Sequence, residues 1–135
     1  MIIDYKYPNL EQEFKFRIDN RLQFIIYAVA GFVWDNFGVH ITLTELLRDE
    51  KTQRRLYPDR EYIISVHEVG RGADIRTRDF TKEEIDKIVE FVNYNVYYGK
   101  EDKEVAIYHD VKGLHLHIQI GYYDKVRLLS KPINI

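Results

Sequence analysis

Gly113-Leu-His-Leu-His-Ile-Gln-Ile-Gly121 alternates between apolar and polar side chains without a break. In an extended chain successive side chains point to opposite faces. Leu114, Leu116, Ile118 and Ile120 therefore share one face, and His115, His117 and Gln119 share the other. The apolar set belongs to a core. The polar set, two imidazoles and an amide, is either the floor of a site or an exposed sheet face on which the histidines are incidental. Such a strand needs a partner. Glu104 to Tyr108 supplies one, joined to Leu114–Tyr122 through a turn over Asp110 to Gly113.

Upstream of this hairpin, Ile85, Ile88, Val89 and Val92 recur at helical spacing. They predict a helix from Thr81 to about Asn95, with Thr81 as its cap and Glu84 completing a capping box. A longer apolar stripe runs through Phe14, Ile18, Leu22, Ile25, Ile26, Val29, Phe32, Val33 and Phe37. Its steps of three and four predict one helix from about Asn9 to Asn36, capped by Asn9 with Gln12 and stopped by Gly38. Between the helices, Gly38 to Thr44 is β-branched and alternating and reads as a strand carrying a structural His40. Glu45 to Tyr57 reads as a short charged helix closed by Pro58, and Glu61 to Ser65 as a short strand entering a glycine-containing turn. Helix, strand, helix and hairpin in this order indicate an α+β domain: a small antiparallel sheet packed against helices, in a single domain spanning residues 1–135.

Composition narrows the function classes. The chain is 45% hydrophobic and 31% charged, with a formal net charge of −2. Its arginines at 54, 55, 60, 71, 76 and 78 are interleaved with acids, so no clustered positive surface for nucleic acid is expected. There is no cysteine, which removes disulfides, thiol nucleophiles and thiolate metal sites. A metal site would have to use His and carboxylates. The most apolar stretch, Leu22 to Trp34, includes Gln23 and is shorter than the ~20 residues of a membrane span.

A second segment, Ser65-Val-His-Glu-Val-Gly-Arg-Gly-Ala-Asp-Ile75, places His67 and Asp74 on either side of a turn containing Gly70 and Gly72. Glycines allow a tight turn that brings the two side chains together. Imidazole nitrogen and carboxylate oxygen are good zinc ligands, and one histidine from the Leu114–Tyr122 strand would make three, leaving a position open for water. The plain alternative is a turn histidine and a helix-capping carboxylate.

This segment resembles the Ser-x-His-x-x-Gly-x-Ala-x-Asp signature of zinc D-alanyl-D-alanine carboxypeptidases and of the related phage L-alanyl-D-glutamate endolysins. Ser65, His67, Gly70 and Asp74 match, and Gly72 stands where the family usually has Ala. His115-Leu-His117 resembles the family's His-x-His segment. Leu47 to Tyr57 is similar to a family stretch carrying a substrate-binding arginine, here Arg48. The resemblance covers roughly residues 41–120, with all three segments in the family's order. It implies a Hedgehog/DD-peptidase-like fold, Zn2+ held by His67, Asp74 and His117, and hydrolysis of a peptidoglycan stem peptide. Arg48, Ser65 and Gln53 would then bind substrate. Ser65 has a second role open to it, stabilising the turn through its hydroxyl, and Gln53 is alternatively a solvated helix residue.

One position departs from the pattern. Several branches use a glutamate three residues before the last zinc histidine as general base, and Leu114 stands there. His115 becomes the acid/base candidate, with His109 second. A non-catalytic zinc-binding structural or phage-particle domain on the same fold is the alternative. The start, Met-Ile-Ile-Asp-Tyr-Lys, lacks a basic-then-apolar leader. The expectation is a cytoplasmic product, such as a phage or prophage lysis enzyme, that acts at the cell wall after release.

Overall fold

A computed structural model describes residues 2–59, 61, 65–97, 103–110, 114–121 and 127–128; for residues 97, 109, 110, 127 and 128 it describes the backbone alone. The elements are β1 (Ile3–Tyr5), α1 (Pro8–Phe16), α2 (Asn20–Phe37), β2 (Ile41–Glu45), α3 (Glu50–Leu56), a 3-10 turn (Val66–Val69), β3 (Gly72–Ile75), α4 (Lys82–Asn95), β4 (Val96–Tyr97), β5 (Ala106–Asp110), β6 (Leu114–Gln119) and β7 (Arg127–Leu128). Five strands form one sheet in the order β1-β2-β3-β6-β5, and β4 pairs with β7 apart from it. The domain is α+β, as the pattern predicts. The sheet is mixed rather than antiparallel, because β1 runs parallel to β2 while every other pairing is antiparallel.

The alternation of β6 decides how the layers sit. Leu116, Ile118 and Ile120 are fully buried. Ile118 faces Ala73 of β3 and Ala106 of β5 across the ladder, and Leu116 faces Ile75. With Ile41 and Leu43 of β2 they join one core cluster with Phe14, Leu22, Ile26, Val29 and Val33 of α1 and α2 and with Ile88 and Val92 of α4. Each fully buried side chain of this size contributes about 1.5–3 kcal/mol. The other face of β6 carries the polar residues.

The long N-terminal stripe forms two helices. Asp19 breaks it: its carboxylate accepts from Arg21 N at 2.8 Å and caps α2. Ile18 and Leu22 keep the apolar spacing across the break, so periodicity alone does not register it. The break seats Gly70, whose carbonyl accepts from Asp19 N at 2.9 Å. Asn9 does not cap; it lies inside α1, whose N-cap is Tyr7 and whose first residue is Pro8, and its amide donates to Glu13. Gly38 ends α2 in the left-handed conformation, φ 68°.

The expected helix from Glu45 to Tyr57 is shorter. Asp49 caps it through Thr52 N at 2.7 Å, and Glu45 belongs to β2. His40 precedes β2 rather than lying on it and contacts Asp4 at 3.1 Å. The expected strand from Glu61 to Ser65 lies largely outside the described residues, as does the turn over residues 111–113. Gly72 to Ile75, read as part of a turn, is a central strand. The α4 cap is as expected: Thr81 accepts from Glu84 N at 3.1 Å and Glu84 accepts from Thr81 N at 2.9 Å. No helix among the described residues is long and apolar enough to cross a membrane.

Candidate metal centre

His67, Asp74 and His117 converge, each offering one donor atom within 4.8 Å of the others, and all three residues are buried. Local structure delivers each one. Ser65 caps the 3-10 turn by accepting from His67 N at 3.1 Å, and Glu68 accepts from Ser65 N at 3.0 Å, a capping box that holds the turn and aims His67 inward. Ser65 thus takes the turn-stabilising role open to it. Gly70 closes the turn with φ 71°. The chain then enters β3, whose Asp74 lies directly opposite His117 of β6. Opposed residues share a face, so carboxylate and imidazole meet on the polar side of the sheet.

Gly72 lies on the same face. A Cβ there would meet Val66 Cγ2 at 2.6 Å, His67 N at 3.2 Å and His117 Cε1 at 3.4 Å. Val66 fills the space that an alanine at this position would need.

The hydrogen bonds orient the rings. His67 Nδ1–H donates to Leu46 O at 2.9 Å, which turns Nε2 towards Asp74 Oδ1 at 3.3 Å. Gln119 donates its amide to Glu104 O at 2.9 Å, so its Oε1 accepts from His117 Nε2–H at 3.2 Å. His117 Nδ1 then faces the centre, 2.8 Å from Asp74 Oδ1. Partners of this type fix tautomer and ring orientation at metal sites. Two ring nitrogens and a carboxylate oxygen thus face one place. They need positive charge there, from a proton or a metal ion, and the donor set suits zinc.

The titration shifts express the same demand. Burial acts to raise the Asp74 carboxyl, but hydrogen bonds and charge from His117 and His67 outweigh it and hold the group far below the usual carboxylate range. Burial acts to lower His67, yet its hydrogen bond to Asp74 and the charges of Asp74 and Glu45 leave it above the ordinary histidine value.

The remaining expected residues sit around this centre. His115, on the same face of β6, has Nε2 3.7 Å from Asp74 Oδ1. Arg48 is buried to 9% side-chain exposure, with its guanidinium bound to Glu45 and to Gln53 Oε1, the latter at 2.6 Å. Gln53 is itself buried rather than solvated. Leu114 is 60% exposed. His109 pairs with His115 across the β5–β6 ladder; its side chain lies outside the described residues.

Two residues of the site were missed in the sequence. Gln119 was placed on the polar face without a role. Glu45 was assigned to a helix start, although Ile41-Thr-Leu-Thr-Glu45 continues an alternating run and Asp49 with Thr52 marks where the helix begins. Its Oε1 lies 3.6 Å from His67 Nε2.

Comparison of the chain with protein-family models, with curated proteins and with solved structures finds no match.

Proposed function

We propose that this chain is a zinc-dependent peptidase that hydrolyses peptidoglycan stem-peptide bonds, of the D,D-carboxypeptidase or L-Ala–D-Glu endopeptidase type. The observation that carries this reading is the convergence of His67 Nε2, Asp74 Oδ1 and His117 Nδ1, with the other ring nitrogen of each histidine held by the surrounding structure. Among the described residues the clustered donors number three, the count found in catalytic zinc sites. The motif resemblance of residues 41–120 supplies the substrate class.

A divalent ion bound there would supply Lewis acidity, polarising a peptide carbonyl and making water acidic near neutral pH. The chain's own groups do the rest. His67 and His117 are oriented by Leu46 O and Gln119 so that one ring nitrogen of each faces Asp74. His115, partly exposed beside Asp74, can hold or deliver a proton at the pocket edge. Arg48 stands where the resemblance puts a carboxylate-binding arginine, and its guanidinium binds Glu45 and Gln53. A phage or prophage lysis enzyme is the setting that suits this activity.

One observation favours a second reading, a non-catalytic zinc-binding structural or phage-particle domain. Leu114 occupies the position of the usual glutamate, and its exposed side chain cannot accept a proton. Metal analysis and digestion of purified peptidoglycan on one preparation separate the two. One zinc per chain with new D-Ala or L-Ala/D-Glu termini, identified by mass spectrometry, supports the peptidase. Zinc without cleavage across several wall types favours the second reading.

A further inference from the structure

The β2–β3 ladder contains an irregularity at the metal centre. Leu43 pairs with Ile75 and Glu45 pairs with Asp74, so two residues of β2 oppose one of β3. In a regular ladder Thr44 would lie opposite Asp74, and Glu45 would share the core face of Leu43. The extra residue reverses this and sets the Glu45 carboxylate in the row Glu45–Asp74–His117 that crosses three strands. Bulges re-aim side chains in this way next to active sites.

Glu45 is also held there. Arg48 binds its Oε1, Gln53 in turn accepts from Arg48 Nη1 at 2.6 Å, and the backbone of Arg48 donates to His67 O at 3.2 Å. Its side chain keeps 31% exposure, against 3% for His67 and 10% for Asp74. Glu45 approaches His67 but is not one of the three clustered donors. A carboxylate fixed beside a metal centre, partly open to solvent and outside the donor set, is placed to act on a molecule that reaches the centre.

Resting on the peptidase reading, we propose that Glu45 is the proton-accepting carboxylate of the site, taking the part that Leu114 cannot, with Arg48 as its positioning residue. In the step it serves, the oxygen of a pocket water forms a bond to the peptide carbonyl carbon, and the carbonyl π pair moves onto the carbonyl oxygen. The proton released by the water goes to Glu45. When the C–N bond breaks, the departing nitrogen takes up that proton, so the products are a carboxylic acid group and an amine and the Glu45 carboxylate is regenerated.

The test compares wild type with Glu45→Gln, which keeps an oxygen for Arg48 but cannot accept the proton. Three quantities are measured: zinc affinity by competition titration, hydrolysis of purified stem peptide, and affinity of the cobalt-loaded protein for acetohydroxamate by visible absorption. A hydroxamate presents an acidic proton to a neighbouring carboxylate. Expected are zinc affinity within about threefold of wild type, turnover lower by about a hundredfold or more, and hydroxamate affinity lower by about tenfold. Unchanged turnover and hydroxamate affinity would overturn the proposal, and so would loss of zinc, which would make Glu45 a ligand. If wild type binds zinc but cleaves no stem peptide, the peptidase reading fails by itself, and the hydroxamate comparison still decides whether Glu45 accepts a proton at this centre.

Discussion

Asp74 and His117 face each other directly across the β3–β6 ladder, with Oδ1 2.8 Å from Nδ1. The contact joins a carboxylate to the ring nitrogen on the side away from Gln119, a place that a proton or a metal ion can fill.

On the zinc reading the chain should bind one divalent ion, and Asp74→Ala should abolish binding. Zinc at a hundredfold excess over its dissociation constant stabilises the folded state by about 2.7 kcal/mol. The wild-type melting temperature should rise accordingly, and that of Asp74→Ala should not move. Differential scanning calorimetry with and without zinc checks this. Stoichiometric metal in the Asp74→Ala protein would refute the ligand set.

Gln119 would act on a bound metal ion through His117. Gln119→Leu removes the acceptor for His117 Nε2–H and frees the ring to adopt the wrong tautomer. Loss of such an outer partner costs about 10–100-fold in metal affinity. Gln119→Glu keeps an acceptor and should hold affinity close to wild type. Titration with a chromogenic chelator distinguishes them, and equal affinities in Leu and Glu variants would show that Gln119 has no such role.

The metal-free protein should respond to pH in a defined sense. Asp74 is depressed in the folded state, so its contribution is present above the unfolded value of about 3.9 and disappears as pH falls through the folded one. His67 is raised, so its contribution is full below about pH 6.5 and is lost as pH rises through the folded value. Both contribute between about pH 4 and 6.5, and on their account stability declines above that window. Metal reverses the trend, because it requires unprotonated His67, so the zinc-induced rise in melting temperature should grow with pH. Melting curves in chelator and in zinc from about pH 5 to 8 test both signs. A zinc effect that shrinks with rising pH would count against His67 as a ligand.

Gly72→Ala should destabilise the fold by about 1–3 kcal/mol, since the new methyl would meet Val66 Cγ2 at 2.6 Å and crowd His67 and His117. Val66→Ala in the same chain removes the nearest obstacle and should restore part of the loss, a coupling of at least about 0.5 kcal/mol. Chemical denaturation of the two single variants and the double variant measures it. Strict additivity would mean that the Val66 contact is not what excludes alanine.

The features readable from the sequence are those set by neighbouring residues. The alternation of Leu114 to Gln119 separates core from site face because side chains in a strand reverse at every step. Thr81 with Glu84 specifies the start of α4 because both partners lie within one turn. His67, Asp74 and His117 were legible through motif spacing, which records a convergence without explaining it. Other features depended on residues far apart in the chain. The break at Asp19 leaves the apolar stripe unaltered, and the loop around Gly70 packs into it. The parallel pairing of β1 rests on three residues whose partner lies beyond two helices. The ladder with β3 determines that Glu45, rather than Thr44, stands beside Asp74. A local pattern can say which way a side chain points along its own strand; which side chain it meets is set by register, and register is a property of two strands at once.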